Sequence, residues 1–160
     1  MRAVLQRVDW AEVQVEDRII GRIERGLLAY VGVERGDEES AAQWLARKVA
    51  GLRVFEDESS KLNRSVQDVR GGILAVPNFT LLADARKGRR PSLAAAAEPE
   101  PAERLFEVFV TELAAAGVGV AKGLFGADML IRSAAAGPVN LILETPGSSE
   151  VPREDAEQER

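Results

Sequence analysis

Histidine and cysteine are both missing from this 160-residue chain. The lack of cysteine excludes disulfides, thiolate nucleophiles and cysteine metal sites, and it is compatible with a reducing cytoplasm. The lack of histidine removes the usual general base, the Ser-His-Asp and Cys-His arrangements, and the commonest metal ligand. No apolar run approaches 18 residues and no N-terminal apolar signal region is present, so the expectation is a soluble cytoplasmic protein without a membrane partner. With 46% hydrophobic residues, the chain can bury roughly two-thirds of its unfolded surface in one domain.

The formal charge of −5 argues against a general polyanion-coating protein, and no DNA partner is expected. The charge is unevenly spread. From Pro146 onward five acids and two bases carry −3, which leaves only −2 for the body. This polar stretch, residues 146–160, reads as a disordered acidic tail following a domain at 1–145. Against a nearly neutral body, Arg86-Lys87-Gly88-Arg89-Arg90 places four cations in five residues. Such a cluster suits a local phosphate contact, or it is a solvated charged loop.

The most informative stretch is Gly71-Gly72-Ile73-Leu74-Ala75-Val76-Pro77-Asn78-Phe79-Thr80-Leu81-Leu82. Two glycines supply a turn, Ile73 to Val76 form an apolar run too short for a helix, and Pro77 removes a ladder donor where the strand would continue. The amides of Asn78, Phe79 and Thr80 then follow beside an aromatic ring and a hydroxyl, where a carbonyl oxygen could be received. A hydrophobic strand with an edge proline is the plainer reading.

Upstream, Val4, Leu5 and Val8 suggest one short strand and Val13 and Val15 a second, separated by a break at Asp9-Trp10. Leu27 to Val33 reads as a central strand in an antiparallel meander. Asp37 is placed to cap a helix whose apolar face runs through Ala41, Trp44, Leu45, Val49 and Leu52, with Gly51 at its exit. Downstream, a long connection from Ala83 to Pro99 carries the basic cluster. A second helix is expected from Pro101, with Leu105, Phe106, Phe109, Val110 and Leu113 on one face and Gly117 as its stop. Val118 to Phe125 and Met129 to Ile131 read as strands split at Gly126, Ala134 to Pro138 as a turn, and Val139 to Leu143 as a closing strand. Two helices among about eight locally connected strands predict a single α+β domain with a curved, mostly antiparallel, barrel-like sheet.

Without histidine or cysteine, three chemical routes remain. Thr80 as nucleophile needs a base; Asp57 and Asp84 form no diagnostic carboxylate pair; backbone amides stabilising an oxyanion need no special side chain. No metal or other cofactor is called for.

Several short segments, in order, resemble the D-aminoacyl-tRNA deacylases: Met1 to Val8, Gly26-Leu27-Leu28, Ala46 to Val49, Leu52 to Asp57, Asn78 to Leu81, Gly88 to Ser92, Gly123 to Met129 and Gly137-Pro138-Val139. The resemblance extends to about Glu144. It implies a homodimer with sites at the subunit interface, whose substrate is a D-aminoacyl-tRNA, with glycine as a further candidate. It makes the Phe79 and Thr80 amides the catalytic contacts, and it puts Pro77 and Asn78 in the substrate site. Gly137 and Pro138 become a cis Gly-Pro filter that enters the partner's site and leaves no room for an L side chain. The tRNA's own terminal 2′-hydroxyl supplies the chemistry a histidine would otherwise supply. Arg86, Lys87, Arg89 and Arg90 are the expected tRNA contacts.

Two motifs depart from the family pattern. Ser-Gln-Phe-Thr-Leu is here Pro77-Asn78-Phe79-Thr80-Leu81, and Asn-x-Gly-Pro-Val-Thr is here Ala135-Ala136-Gly137-Pro138-Val139-Asn140. Two alternatives therefore stay open: a dimer of the same fold that binds tRNA ends or another ligand with weakened catalysis, and a deacylase of altered chirality acting on an L-aminoacyl-tRNA.

Overall fold

The structure is a computed structural model that describes residues 1–146; the expected acidic tail lies, but for Pro146, outside the described residues. The chain runs β1 (Arg2–Val15), β2 (Arg18–Ile23), β3 (Gly26–Gly32), α1 (Glu39–Gly51), β4 (Phe55–Glu56), β5 (Leu62–Arg64), β6 (Gly72–Pro77), a 3-10 turn (Phe79–Leu82), α2 (Pro99–Ala115), β7 (Gly119–Lys122) and β8 (Met129–Glu144). This is the expected single α+β domain with two helices and a strongly curved sheet.

The main sheet has the order β2-β1-β3-β6-β7, with β8 on the other side of β1. All three partners of β1 are antiparallel to it. The expected meander is not formed, because β2 and β3 lie along one edge of the long β1, each against a different half, and β8 runs along the other edge. The centre is parallel: β3 with β6, and β6 with β7. Each parallel pair is joined through a helix, α1 or α2, and a crossover of that kind returns the chain in its original direction.

These central strands are covered on both faces, which explains their unbroken apolar runs. Leu27, Ala29, Val31, Ile73 and Ala75 face a core completed by Leu45 and Val49 of α1 and Leu105, Phe106, Phe109 and Leu113 of α2. Leu28, Leu74 and Val76 face a second cluster with Val8, Ala11, Val13 and Ile23. The sheet curls over that second cluster until Gly21 of β2 lies against the Lys122 carbonyl of β7, so the barrel is nearly closed.

Two expected interruptions prove to be bulges inside continuous strands. At Asp9-Trp10, Val8 pairs with Ala135 and Trp10 with Ala134, so β1 gains one residue and bends without ending. On β8, Gln6 pairs with Asn140 and Val8 with Ala135, so residues 136–139 face Arg7 alone. The expected turn at Ala134 to Pro138 is thus a bulge in one strand of 16 residues. Asp37 is also reassigned. The residue before α1 is Glu38, which makes no side-chain cap, while the Asp37 carboxylate receives the Glu34 amide at 2.6 Å and the buried Met1 ammonium at 2.7 Å. The stronger demand of a buried cation takes the carboxylate away from the helix end. The second helix begins two residues earlier than expected, with Pro99 in its first turn.

Candidate active site

β6 ends at Pro77 because proline offers no ladder donor, and the chain turns at once into the 3-10 turn. Two contacts hold the turn in place: Leu82 is buried, and Arg2 Nη1 donates to the Leu81 carbonyl at 2.7 Å. The three amides singled out above then have different fates. The Asn78 amide donates to the Val31 carbonyl at 2.8 Å. The Thr80 amide donates to Asn78 Oδ1 at 3.2 Å, and the Thr80 hydroxyl donates to the same oxygen at 2.5 Å. Phe79 opens the turn, where an amide has no intrahelical acceptor, and no hydrogen bond among the described residues takes it. The free donor beside the exposed Phe79 ring is therefore a single amide, and Asn78 holds its neighbour in place. Thr80 is bonded to an amide oxygen, which is no base.

Pro77, Asn78 and Phe79 form one lip of a cavity of about 620 Å³. Its other walls come from segments far apart in sequence: Tyr30 and Val31 of β3, Leu93 and Ala96 of the long connection, Phe106 of α2, Phe125 and Gly126, and Met129 and Ile131 of β8. Burial pushes the Tyr30 phenol above its ordinary pKa, so this wall stays neutral. The lining is chiefly apolar, with Asn78, Arg35 and Glu98 as polar groups at hand. A pocket of this size and character suits a nucleoside or a drug-sized organic group.

Gly137 and Pro138 do not line this cavity. They stand exposed in the β8 bulge, joined by a cis peptide, with Gly137 at φ +121°. Arg7, the residue opposite, fastens the bulge: Nε donates to the Ala136 carbonyl at 3.3 Å, Nη1 to the Val54 carbonyl at 2.9 Å, and Nη2 lies 3.7 Å from Glu56. Gln6 spans the same bulge, receiving the Ser133 hydroxyl at 3.3 Å and donating to Asn140 Oδ1 at 3.1 Å. Asn140, read from the sequence as a departure from the family pattern, has a partner in Gln6. Neither Arg7 nor Gln6 was singled out from the sequence; their one signal is membership of the first quoted segment.

A model of the D-Tyr-tRNA(Tyr) deacylases matches residues 4–144, which takes in both the turn after β6 and the β8 bulge. The chain belongs to this deacylase family. A D-aminoacyl-tRNA deacylase of Geobacter metallireducens is 52% identical over 146 residues, covering 91% of this chain and 97% of that one. One of Koribacter versatilis is 52% identical over 145 residues, again covering 91% and 97%. Among solved structures, the c-Myc DNA Unwinding Element Binding Protein superposes with a TM-score of 0.86 at 36% identity, covering 92% of this chain and 100% of that one. A probable eukaryotic D-amino acid tRNA deacylase superposes at 0.77 with 19% identity over 89% and 97%, which is a likeness of fold.

Among the deacylase's expected tRNA contacts, Lys87, Arg89 and Arg90 are exposed and form no ion pair among the described residues, whereas Arg86 is paired with Asp84 at 2.7 Å. Among the described residues no helix is long and apolar enough to cross a membrane.

Proposed function

We propose that this deacylase hydrolyses the ester between a D-amino acid and the 3′-terminal ribose of tRNA, and accepts glycine as well. The observation that carries the reading is the unpaired Phe79 amide on the lip of the apolar cavity, beside a hydroxyl pinned by Asn78. The terminal nucleoside occupies the cavity and the ester carbonyl meets the Phe79 amide. Negative charge growing on that oxygen in the tetrahedral intermediate is then received by a donor already in position. Water attacks the carbonyl carbon, the tRNA 2′-hydroxyl takes part in moving its proton, and the ribose oxygen leaves. Thr80 positions rather than attacks, since its hydroxyl proton points to an amide oxygen.

Chirality is read by Gly137 and Pro138 of a second copy of the chain in a homodimer. Three features support this: the bulge is exposed, it does not line its own cavity, and β8 is a 16-residue strand whose outer edge has no partner among the described residues. An edge of that length, with Leu130 and Ile142 exposed on it, is a template for pairing. Placed in the partner's cavity, a Gly-Pro wall would leave space for hydrogen but not for an L side chain. The work belongs to the cytoplasm, where charged tRNA is found.

The test is the deacylation rate of matched D-Tyr-tRNA, L-Tyr-tRNA and Gly-tRNA against a control without enzyme. Loss of the D ester with the L ester spared is the expected result. Cleavage of none would favour a binding protein of this fold, and preferential cleavage of the L ester would favour the altered-chirality reading.

A further inference from the structure

Of the four cations in the basic cluster, one is already spent. Asp84 Oδ1 receives both the Arg86 amide at 3.0 Å and Arg86 Nε at 2.9 Å, and Oδ2 receives Nη2 at 2.7 Å. This is a two-pronged pair closed within three residues. At the same point the backbone crosses itself: the Asp84 amide donates to the Ser92 carbonyl at 2.8 Å and the Ser92 amide to the Asp84 carbonyl at 2.9 Å. Residues 85–91 therefore form a closed loop whose tip turns at Gly88, φ +71°. The chain on either side of this loop lines the cavity, through Phe79 before it and Leu93 and Ala96 after it. The loop rises from the cavity rim and carries Lys87, Arg89 and Arg90 outward, exposed and without ion pairs among the described residues.

We propose that Asp84 and Arg86 are a fastener for this loop and not an RNA contact, and that Lys87, Arg89 and Arg90 engage the phosphodiesters of the single-stranded 3′ end of tRNA. The inference rests on the tRNA reading above. A strand whose last nucleoside sits in the cavity must leave it across the rim, where its phosphates pass the loop tip. Arginine presents a planar fork to phosphate, and lysine a point charge. An unpaired Asp84 at the loop base would repel the same phosphates; Arg86 cancels that charge and fixes the loop in one step.

The test is binding of uncharged tRNA by fluorescence anisotropy across a potassium chloride series, with intact tRNA and with tRNA lacking its single-stranded 3′ nucleotides. On intact tRNA, Lys87→Ala, Arg89→Ala and Arg90→Ala should each lower the slope of log K against log salt by about 0.7, the value for one single-strand phosphate contact. The double variant Asp84→Asn with Arg86→Gln should leave that slope unchanged, while raising KM several-fold for D-Tyr-tRNA at unchanged kcat. On the truncated tRNA, the tip variants should match the parent.

A slope loss in the double variant equal to that of Arg89→Ala would make Arg86 a contact and overturn the fastener. An unchanged slope in all tip variants would remove the loop from the RNA. A slope loss that persists on truncated tRNA would place the loop on the duplex instead. Because the salt-slope readouts need no turnover, they stand apart from any failure of the deacylase reading.

Discussion

Removing the Arg7 side chain should weaken the chiral discrimination proposed for Gly137 and Pro138, although Arg7 is at none of the proposed substrate contacts. Arg7 is the one residue of β1 opposite the four-residue bulge of β8, and its side chain is only 13% exposed. Arg7→Ala deletes a hydrogen bond of full strength to the Val54 carbonyl at 2.9 Å and a longer one to the Ala136 carbonyl at 3.3 Å. Bonds from a charged donor contribute about 1.5–3 kcal/mol each, so a strong and a weak one together are worth roughly 2–4 kcal/mol. The Glu56 pair adds less than about 1 kcal/mol, because that carboxylate is 53% exposed and screened. For a domain of this size the melting temperature should fall by roughly 6–12 °C. The bulge should then move relative to the rest of β8, and the ratio of D-Tyr-tRNA to L-Tyr-tRNA deacylation should fall with it. Arg7→Lys, which can reach one carbonyl but not both, should recover part of each effect. The assays are thermal unfolding and the paired deacylation rates. A protein that loses several degrees but keeps full selectivity would refute the claim that Arg7 sets the bulge; one that loses neither would refute the bonding scheme itself.

Gly137→Ala should cost about 1–3 kcal/mol of local strain at its φ of +121°, and its Cβ would meet the Val139 amide nitrogen at 2.9 Å, so selectivity should drop more than the melting temperature. Thr80→Ala, which loses one hydrogen bond to Asn78 worth about 1 kcal/mol, should retain kcat/KM within about tenfold; complete loss would revive Thr80 as the nucleophile. Gly26→Ala should fail to give soluble protein, because a Cβ there runs into the Gly72 backbone of the adjoining parallel strand; normal expression and unfolding would contradict the β3 to β6 register. Stability should hold level from about pH 5 to about pH 7.5, since no histidine titrates there, and fall in acid. The Lys61 amide lowers the pKa of Asp57, the Ser65 amide that of Asp68, and the Arg86 guanidinium that of Asp84. Folded values below unfolded ones mean that this stabilisation is complete above the ordinary carboxylate range and is lost as pH falls toward the folded values. A melting temperature that rose on acidification would reverse the sign of that argument.

The parts of the fold that were legible in the sequence are those governed by neighbours a few residues away. The apolar faces of the helices, the end of β6 at Pro77 and the stop at Gly117 all depend on such local rules. The continuity of β1 and β8 was hidden for the same reason. A bulge resets the alternation of buried residues, so each half of the strand shows its own period and the join resembles a turn. The parallel pairing at the sheet centre depends on what the helices do in space, and an unbroken apolar run is equally compatible with either direction. At the site, the Phe-Thr turn and the Gly-Pro pair could be quoted from the sequence. The division of labour among three adjacent amides could not, because it turns on the Val31 carbonyl of β3 and on one rotamer of Asn78. Asp37 was read as a cap because the pull of the Met1 ammonium, 36 positions away, leaves no mark on the local pattern.

The bulge on β8 is clamped by the β1 ladder on both sides, at Gln6 with Asn140 and at Val8 with Ala135. Its position is therefore a matter of counting residues along two strands, and hardly one of side-chain identity. Side-chain exchanges at positions such as Ala135 and Asn140 leave the count intact and should preserve the geometry. Insertions and deletions are another matter. A single residue gained or lost between Met129 and Ala135 would slide the Gly-Pro pair along β1, or force a second irregularity to absorb the change. For this part of the molecule, a change of length should disturb the geometry more than a change of side chain.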